Sequence, residues 1–420
     1  MDTSKSFART LDQNDELAEF RNQFVIDEDE LIYLDGNSLG RLPQSTITLI
    51  DDLVKKQWGS RLIRSWNENW MDLSTRIGGK IAQLIGALQD EVIIADSTSV
   101  NLFKMFVGAI KHKAPRHKII TDSENFPSDL YILEAAADIS DIEIEIITLT
   151  PTDNSGVSLA SLEEIIDEDT ALITLSHIMY KSSYMYDIRA ITNLAHKHGA
   201  LVLWDLSHSV GAVPLDCSND GVDMAVGSTY KFLNGGPGAP AFLHISKELQ
   251  SKLINPIAGW FGHKKQFSFD SKYEPADDIS RFLTGTPSII SLALIEPGVD
   301  IILNAGIDRI RKKAIHQSEY LIGLWKEMLQ PLGFTLNSPE EVGFRGSHVS
   351  FGHPDGYQIE QAVRAEKSVV SDFRAPDNIR FGITPLYTRY EDLHIAVNAL
   401  AEVTKTRSYN KYSSEIKGVT

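Results

Sequence analysis

The chain has 420 residues, 42% of them hydrophobic, with one cysteine and a formal net charge of −17. That length exceeds one ordinary core and predicts about two domains. The acidity argues against a nucleic-acid partner, which needs a basic face to neutralise phosphates, and the lone thiol, Cys217, excludes an internal disulfide and any CxxC or Cys/His metal spacing.

The N-terminal stretch MDTSKSFARTLDQNDELAEF is polar and acidic, with no apolar signal core and no basic amphipathic transit pattern. No run reaches the roughly 18 apolar residues of a membrane span. A cytoplasmic enzyme with no metal and no membrane partner is the expectation. After an acidic, helical opening, LIYLDG reads as a short strand, and GNSLGRLP as a turn marked by Gly36, Gly40 and Pro43. A helix is predicted from Thr46 across ITLIDDLVKKQW. A polar stretch with Trp58, Trp66 and Trp70 follows, and then a helix over RIGGKIAQLIGAL.

The middle third alternates. EVIIAD, KIITDS, IEIIT, ALITLSH, ALVLWD, VDMAVGS and APAFLHI read as strands, with helices over STSVNLFKMFVGAIK, SDLYILEAAAD, SLASLEEIID and YDIRAITNLAHKHG between them. The last helix has Asp187 at its start and Gly199 past its end, a start-and-stop signature. Strands apolar on both faces belong to a mostly parallel sheet covered by helices, so the class is α/β with a large central sheet. Around Pro297 the rhythm changes. A long helix over AGIDRIRKKAIHQSEYLIGLWKEMLQPLG is followed by FTLNS, SHVSFGH, a helix over YQIEQAVRAEK, the segment DFRAPDNIRFGITPLY and a last helix over YEDLHIAVNALAEVTKT. The expected division is an N-terminal segment 1–50 serving the site and the small domain, a large domain 51–296 and a smaller α/β domain 297–420.

Chemistry concentrates in two segments. LVLWDLSHSVGAVPLD delivers Asp205 at a strand end, with His208 three residues on; GSTYKFLNGGPGAP delivers Lys231 directly after Tyr230. An apolar lysine with an aspartate from a neighbouring strand is what pyridoxal 5′-phosphate (PLP) chemistry requires. The lysine holds the cofactor aldehyde as a Schiff base, and the aspartate keeps the pyridine nitrogen protonated. Taken alone, a strand ending in Asp or a Lys by a Gly-rich turn is commonplace in α/β proteins. Asp96-Ser97-Thr98-Ser99 opens a helix, where hydroxyls and free N–H groups suit a phosphate but serve equally as caps. Phe126, in NFPSD, could stack on a flat ring and Asp129 hold a ring substituent, or the segment could be a loop and cap. His177, at the end of ALITLSH, reads as a hydrogen-bonded structural residue. Trp260 in GWFGH reads as a core or interface anchor, and RFLTGTP carries Thr286. Arg380, in NIRFGITPLY, is either a surface residue or the bidentate partner of a substrate carboxylate.

Together and in order, LDGNSLGRLP, FPSD, LWDLSHSVGAVPLD, STYKFLNGGPGAPAFL, GWFGH, RFLTGTP and DFRAPDNIRFGITPLY resemble the kynureninase family of fold type I (aspartate-aminotransferase-like) PLP enzymes, over most of the chain. The resemblance implies hydrolysis of L-kynurenine, or its 3-hydroxy form, to anthranilate (or 3-hydroxyanthranilate) and L-alanine, in tryptophan and kynurenine metabolism. It implies Lys231 on the cofactor aldehyde, Asp205 on the pyridinium nitrogen with His208 beside it, Phe126 on the ring, and Thr98, Ser99 and Tyr230 on the phosphate with Asp129 in the same pocket. Trp260 and Thr286 would come from the partner subunit of a homodimer, Arg380 would hold the substrate α-carboxylate, and Ser38 would border the aryl group. Tyr230 is also a candidate proton donor. A cysteine desulfurase-like lyase shares the fold and an Asp-x-x-His strand but needs a reactive thiol, and Cys217 lies in the loop after the aspartate strand. A class-V aminotransferase and a PLP-binding regulator remain as alternatives; the latter would need a binding appendage that the sequence does not contain.

Overall fold

The structure, a computed structural model, describes residues 2–28, 30–151 and 156–416. A short strand β1 (Ile32–Tyr33) precedes seven strands of a large sheet: β2 (Val92–Ile94), β3 (Lys118–Asp122), β4 (Glu145–Leu149), β5 (Thr170–Ser176), β6 (Leu201–Asp205), β7 (Met224–Gly227) and β8 (Phe242–Ile245). Their order is β2-β8-β7-β6-β5-β3-β4. β8 runs antiparallel to both neighbours, and every other pair is parallel.

The strand sequences explain this arrangement. β5 to β8 are buried at every position, so both faces need covering helices. Side chains alternate between two cores: Val202 and Trp204 pack with Ile77, Ile81 and Val299 on one face, and Leu201 and Leu203 with Met105, Phe106 and Phe282 on the other. β4, on the edge, is half-exposed. Helix Ile188–Lys197 is capped by Asp187, whose side chain accepts from Ala190 N–H at 2.9 Å, and Gly199 beyond its end takes φ +72°. Because β3, β5, β6 and β7 are parallel, Asp122, Ser176, Asp205 and Gly227 end on one edge, where ligands of open α/β sheets gather.

The second sheet is antiparallel, in the order β12-β13-β10-β9, with β9 (Thr335–Leu336), β10 (His348–Gly352), β12 (Asp372–Arg374) and β13 (Asn378–Gly382); β11 (Val369–Val370) instead pairs in parallel with β1. Ala8, Ile32 and Leu34 thereby join the core of this C-terminal half, whereas Leu17 and Phe24 pack with the large sheet. The core changes along helix Ile307–Leu324: Ile310 packs with the large sheet, Tyr320 and Leu321 with the small one.

Several elements differ from expectation, among them two helices. The helix predicted from Thr46 is α-helical over Gln44–Asp52 and then widens to π winding over Leu53–Arg61, ending at Leu62 with φ +57°. The long helix predicted from Ala305 begins at Ile307, because Gly306 at φ +82° separates it from a helix over Ile295–Ala305.

Candidate active site

Asp205 is buried at the end of β6, and its Oδ1 accepts the Ser207 N–H at 2.7 Å. Asp129, in the first turn of helix Pro127–Asp138, meets it carboxyl to carboxyl. Burial, and then the Asp205 charge, hold Asp129 well above the usual carboxylate range. Two buried carboxyls in contact share a proton.

Lys231 follows β7 in the loop Ser228-Thr229-Tyr230. Its Nζ lies 3.3 Å from His208 Nε2 and 5.9 Å from the centroid of Phe126. Burial pulls the amine down to about 8, against the opposing charge of Asp205. His208 is buried, and burial together with the Lys231 charge keeps it well below its ordinary value. A neutral imidazole therefore faces the amine. Phe126 is 42% exposed on the cavity wall, edge-on to Tyr180 at 5.3 Å. Tyr230 is half-buried, its phenol pushed up by burial and by Asp205.

Two helix starts meet here. Ser97 caps helix Thr98–Lys113 by accepting from Val100 N–H at 3.3 Å. Capping thus falls to Ser97, and Thr98 and Ser99 are left to the cavity. Ser99 Oγ lies 3.1 Å from Ser128 Oγ at the start of the second helix. Free N–H groups and positive dipole ends at helix starts favour an anion.

Arg380, on β13, is buried. Its Nη1 donates to Tyr180 O, and its Nη2 to Asp372 Oδ2 and, at 3.3 Å, to Ser38 Oγ. Burial lowers it to about 10. Ser38 in turn donates to Asp372 Oδ2 at 3.3 Å. The turn carrying Ser38 is docked on the lysine loop: Gly40 N–H donates to Tyr230 O at 2.8 Å, and a Cβ on Gly40 would run into Lys231 O, Asn234 Oδ1 and, at 2.8 Å, Asn234 Cα.

These residues line one cavity of about 260 Å³: Ser38, Thr98, Ser99, Phe126, Asp129, Asp205, His208, Tyr230, Lys231 and Arg380. Trp260 and Thr286 do not. Trp260 is 39% exposed on the turn Trp260–Gly262, and Thr286 is exposed beside a second cavity that includes Asp96 and Pro240. The first cavity is also lined by Asn37, Ser128, Ser176, Tyr180, Ser207 and Arg374, which sequence reasoning missed. Most of them neighbour residues it found, as Asn37 does Ser38. Tyr180, by contrast, carries no sequence signal. His177 lies outside the cavity, with Nδ1 2.8 Å from Ser209 Oγ, and burial lowers it to about 4.

Residues 32–362 match the family model of the class-V aminotransferases. A kynureninase of Pseudomonas fluorescens is 41% identical over 420 residues, covering 99% of each chain. The chain belongs to the kynureninase family. A kynureninase of Burkholderia mallei (strain SAVP1) is 39% identical over 407 residues, 96% of each chain. Among solved structures, the kynureninase-family chain overlays an apo cysteine desulfurase of Thermococcus onnurineus NA1 with a TM-score of 0.78 at 19% identity, covering 92% of this chain and 98% of that one. A C-DES variant with glycine covalently linked to its PLP cofactor gives 0.77 at 20% identity, covering 90% and 98%. At these identities the two structures speak for the fold of the kynureninase-family chain alone.

Proposed function

We propose that this chain is a PLP-dependent enzyme that hydrolyses L-kynurenine to anthranilate and L-alanine. The observation that carries the reading is that one cavity holds both a lysine of lowered basicity beside a carboxyl pair and a buried guanidinium. An α-amino acid needs both: an amine-exchanging group for its nitrogen and a cation for its carboxylate.

The residues fit PLP. Lys231 would hold the aldehyde, Asp205 the ring nitrogen, Phe126 the ring face, and Thr98, Ser99 and Tyr230 the phosphate, at the two helix starts whose hydroxyls meet at 3.1 Å; Asp129 and His208 would complete the same pocket. PLP when bound supplies an electron sink for deprotonation at the substrate α-carbon and cleavage of its Cβ–Cγ bond. Lys231, lowered to about 8, has a neutral fraction near pH 7 able to take that proton. His208, kept neutral, shares a hydrogen bond with Nζ at 3.3 Å and adds no charge. Asp129 shares a proton with Asp205 and so fixes its carboxyl group. Tyr230 keeps its phenolic proton and can deliver it to the leaving carbon. Arg380 would hold the α-carboxylate, with Ser38 as its neighbour.

We further propose a cytoplasmic homodimer in which Trp260 and Thr286 complete the site of the second copy. Both are exposed and away from their own chain's cavity, and Trp58, Ile63, Phe267 and Phe269 leave apolar surface uncovered. The division into 1–50, 51–296 and 297–420 belongs to the same proposal; the separate cores support two domains, with the change of core falling within helix Ile307–Leu324 rather than at residue 297. A desulfurase reading finds no support, because Cys217 is buried and burial pushes its thiol up.

The test is anthranilate fluorescence after adding L-kynurenine to the PLP-loaded protein, with Lys231→Ala as control. Signal from the wild type alone is expected. A PLP-loaded wild type that releases no anthranilate would overturn the reading.

A further inference from the structure

The hairpin of β12 and β13 places three charged side chains on one face. Asp372 pairs directly with Arg380 across the strands, and Arg374, two residues along, lies on the same side. Asp372 is fully buried and bridges both arginines: Arg380 Nη2 donates to its Oδ2, and Arg374 Nη1 lies 3.2 Å from its Oδ1. Sequence reasoning singled out this segment but gave a role to Arg380 alone.

Arg380 is poorly placed to grip a carboxylate by itself. Its Nη1 already donates to Tyr180 O, and its Nη2 to Asp372 and Ser38. What remains is the unpartnered Nε–H and one N–H on Nη1, and these lie on different edges of the guanidinium, whereas bidentate recognition uses two N–H groups of one edge. Arg374 has the opposite condition. It lines the same cavity, its side chain is 26% exposed, and among the described residues only its Nη1 is engaged, by Phe373 O at 3.3 Å and by Asp372. Its Nε and Nη2 have no hydrogen-bond partner among the described residues. Asp372 and Asp35 both face the two guanidinium groups, and burial raises the Asp35 carboxyl against the pull of Ser38 and of both arginine charges.

We propose that Arg374 is a second substrate-binding residue, which with Arg380 seats the substrate carboxylate across the Asp372 bridge. The inference rests on the reading of the cavity as an α-amino-acid site. It predicts that recognition of the carboxylate, and not of the amine, depends on Arg374.

The experiment compares wild type, Arg374→Gln and Arg374→Lys as PLP-loaded protein. Binding of L-alanine is followed by the change in visible absorbance, with ethylamine, the same skeleton without the carboxylate, as control. L-Alanine binding is expected to weaken about ten-fold in Arg374→Gln, the scale of a charge-assisted contact. Ethylamine binding should be unchanged and part of the loss recovered in Arg374→Lys. With L-kynurenine, KM rises and kcat holds within a few-fold. L-Alanine affinity within two-fold of wild type, or an equal loss for both ligands, overturns the proposal. Failure of the functional reading looks different: the wild type binds L-alanine but releases no anthranilate, and the Arg374→Gln comparison still decides the seat.

Discussion

Lys231 should destabilise the cofactor-free protein at neutral pH. Its amine titrates near 10.5 in an unfolded chain and is brought down to about 8 in the folded one by burial. Between those values the unfolded chain binds a proton that the folded one has released, so stability rises with pH across the window and the full penalty applies below about 8. The difference sets a ceiling of about 3 kcal/mol, moderated by the part of Lys231 that solvent reaches. Lys231→Met keeps the length of the side chain and removes the charge. Urea unfolding of the two cofactor-stripped proteins should show the variant more stable near pH 7, with the gap closing by about 2 kcal/mol by about pH 10. Only the change in the gap reports the charge, because added apolarity contributes equally at both pH values. A gap that stays constant, or widens with pH, would refute the reasoning.

Asp205→Asn should retain PLP absorbance while kcat falls about 10²- to 10³-fold, the scale of a lost electrostatic contact to developing charge; near-normal turnover would remove Asp205 from its role. Arg380→Ala should cost about 1.5–3 kcal/mol of substrate binding, seen as a KM for L-kynurenine raised about 10- to 100-fold, and an unchanged KM would count against it. Gly40→Ala should lower stability by about 1–3 kcal/mol through overpacking, because its Cβ meets Lys231 O and Asn234. An unshifted thermal midpoint with full PLP occupancy would show that the turn tolerates displacement.

The large sheet was legible because its strands are continuous apolar runs ending in polar residues. Asp205 and Lys231 stood out as the chemistry left at strand ends. The π winding over Leu53–Arg61 was not legible, since its hydrophobic spacing differs little from an α-helix over so short a run. The same holds for side chains that enter the cavity through pairing. Arg374 gains its place from the β12–β13 register opposite Asn378, and Tyr180 from packing edge-on to Phe126; neither relation exists within a local window. Ser97 and Thr98 show the converse. Both roles of that segment, capping and lining, were visible, but only coordinates divide them between neighbours.

The N-terminal segment carries a consequence for the order of assembly. Leu34 N–H donates to Val370 O and Leu34 O accepts from Gly382 N–H, both at 2.7 Å, while Gly40 holds the lysine loop. The Gly40 contact needs only the lysine loop, but the turn bearing Asn37 and Ser38 receives its two anchors at Leu34 only after more than three hundred further residues have been synthesised. The large sheet can collapse first, as units do during synthesis. The early residues wait, and their closure over so great a sequence separation is a slow, late event. A ribosome-bound chain stalled before Gly382 would carry Asp205 and Lys231 in a finished sheet and still have no enclosed cavity.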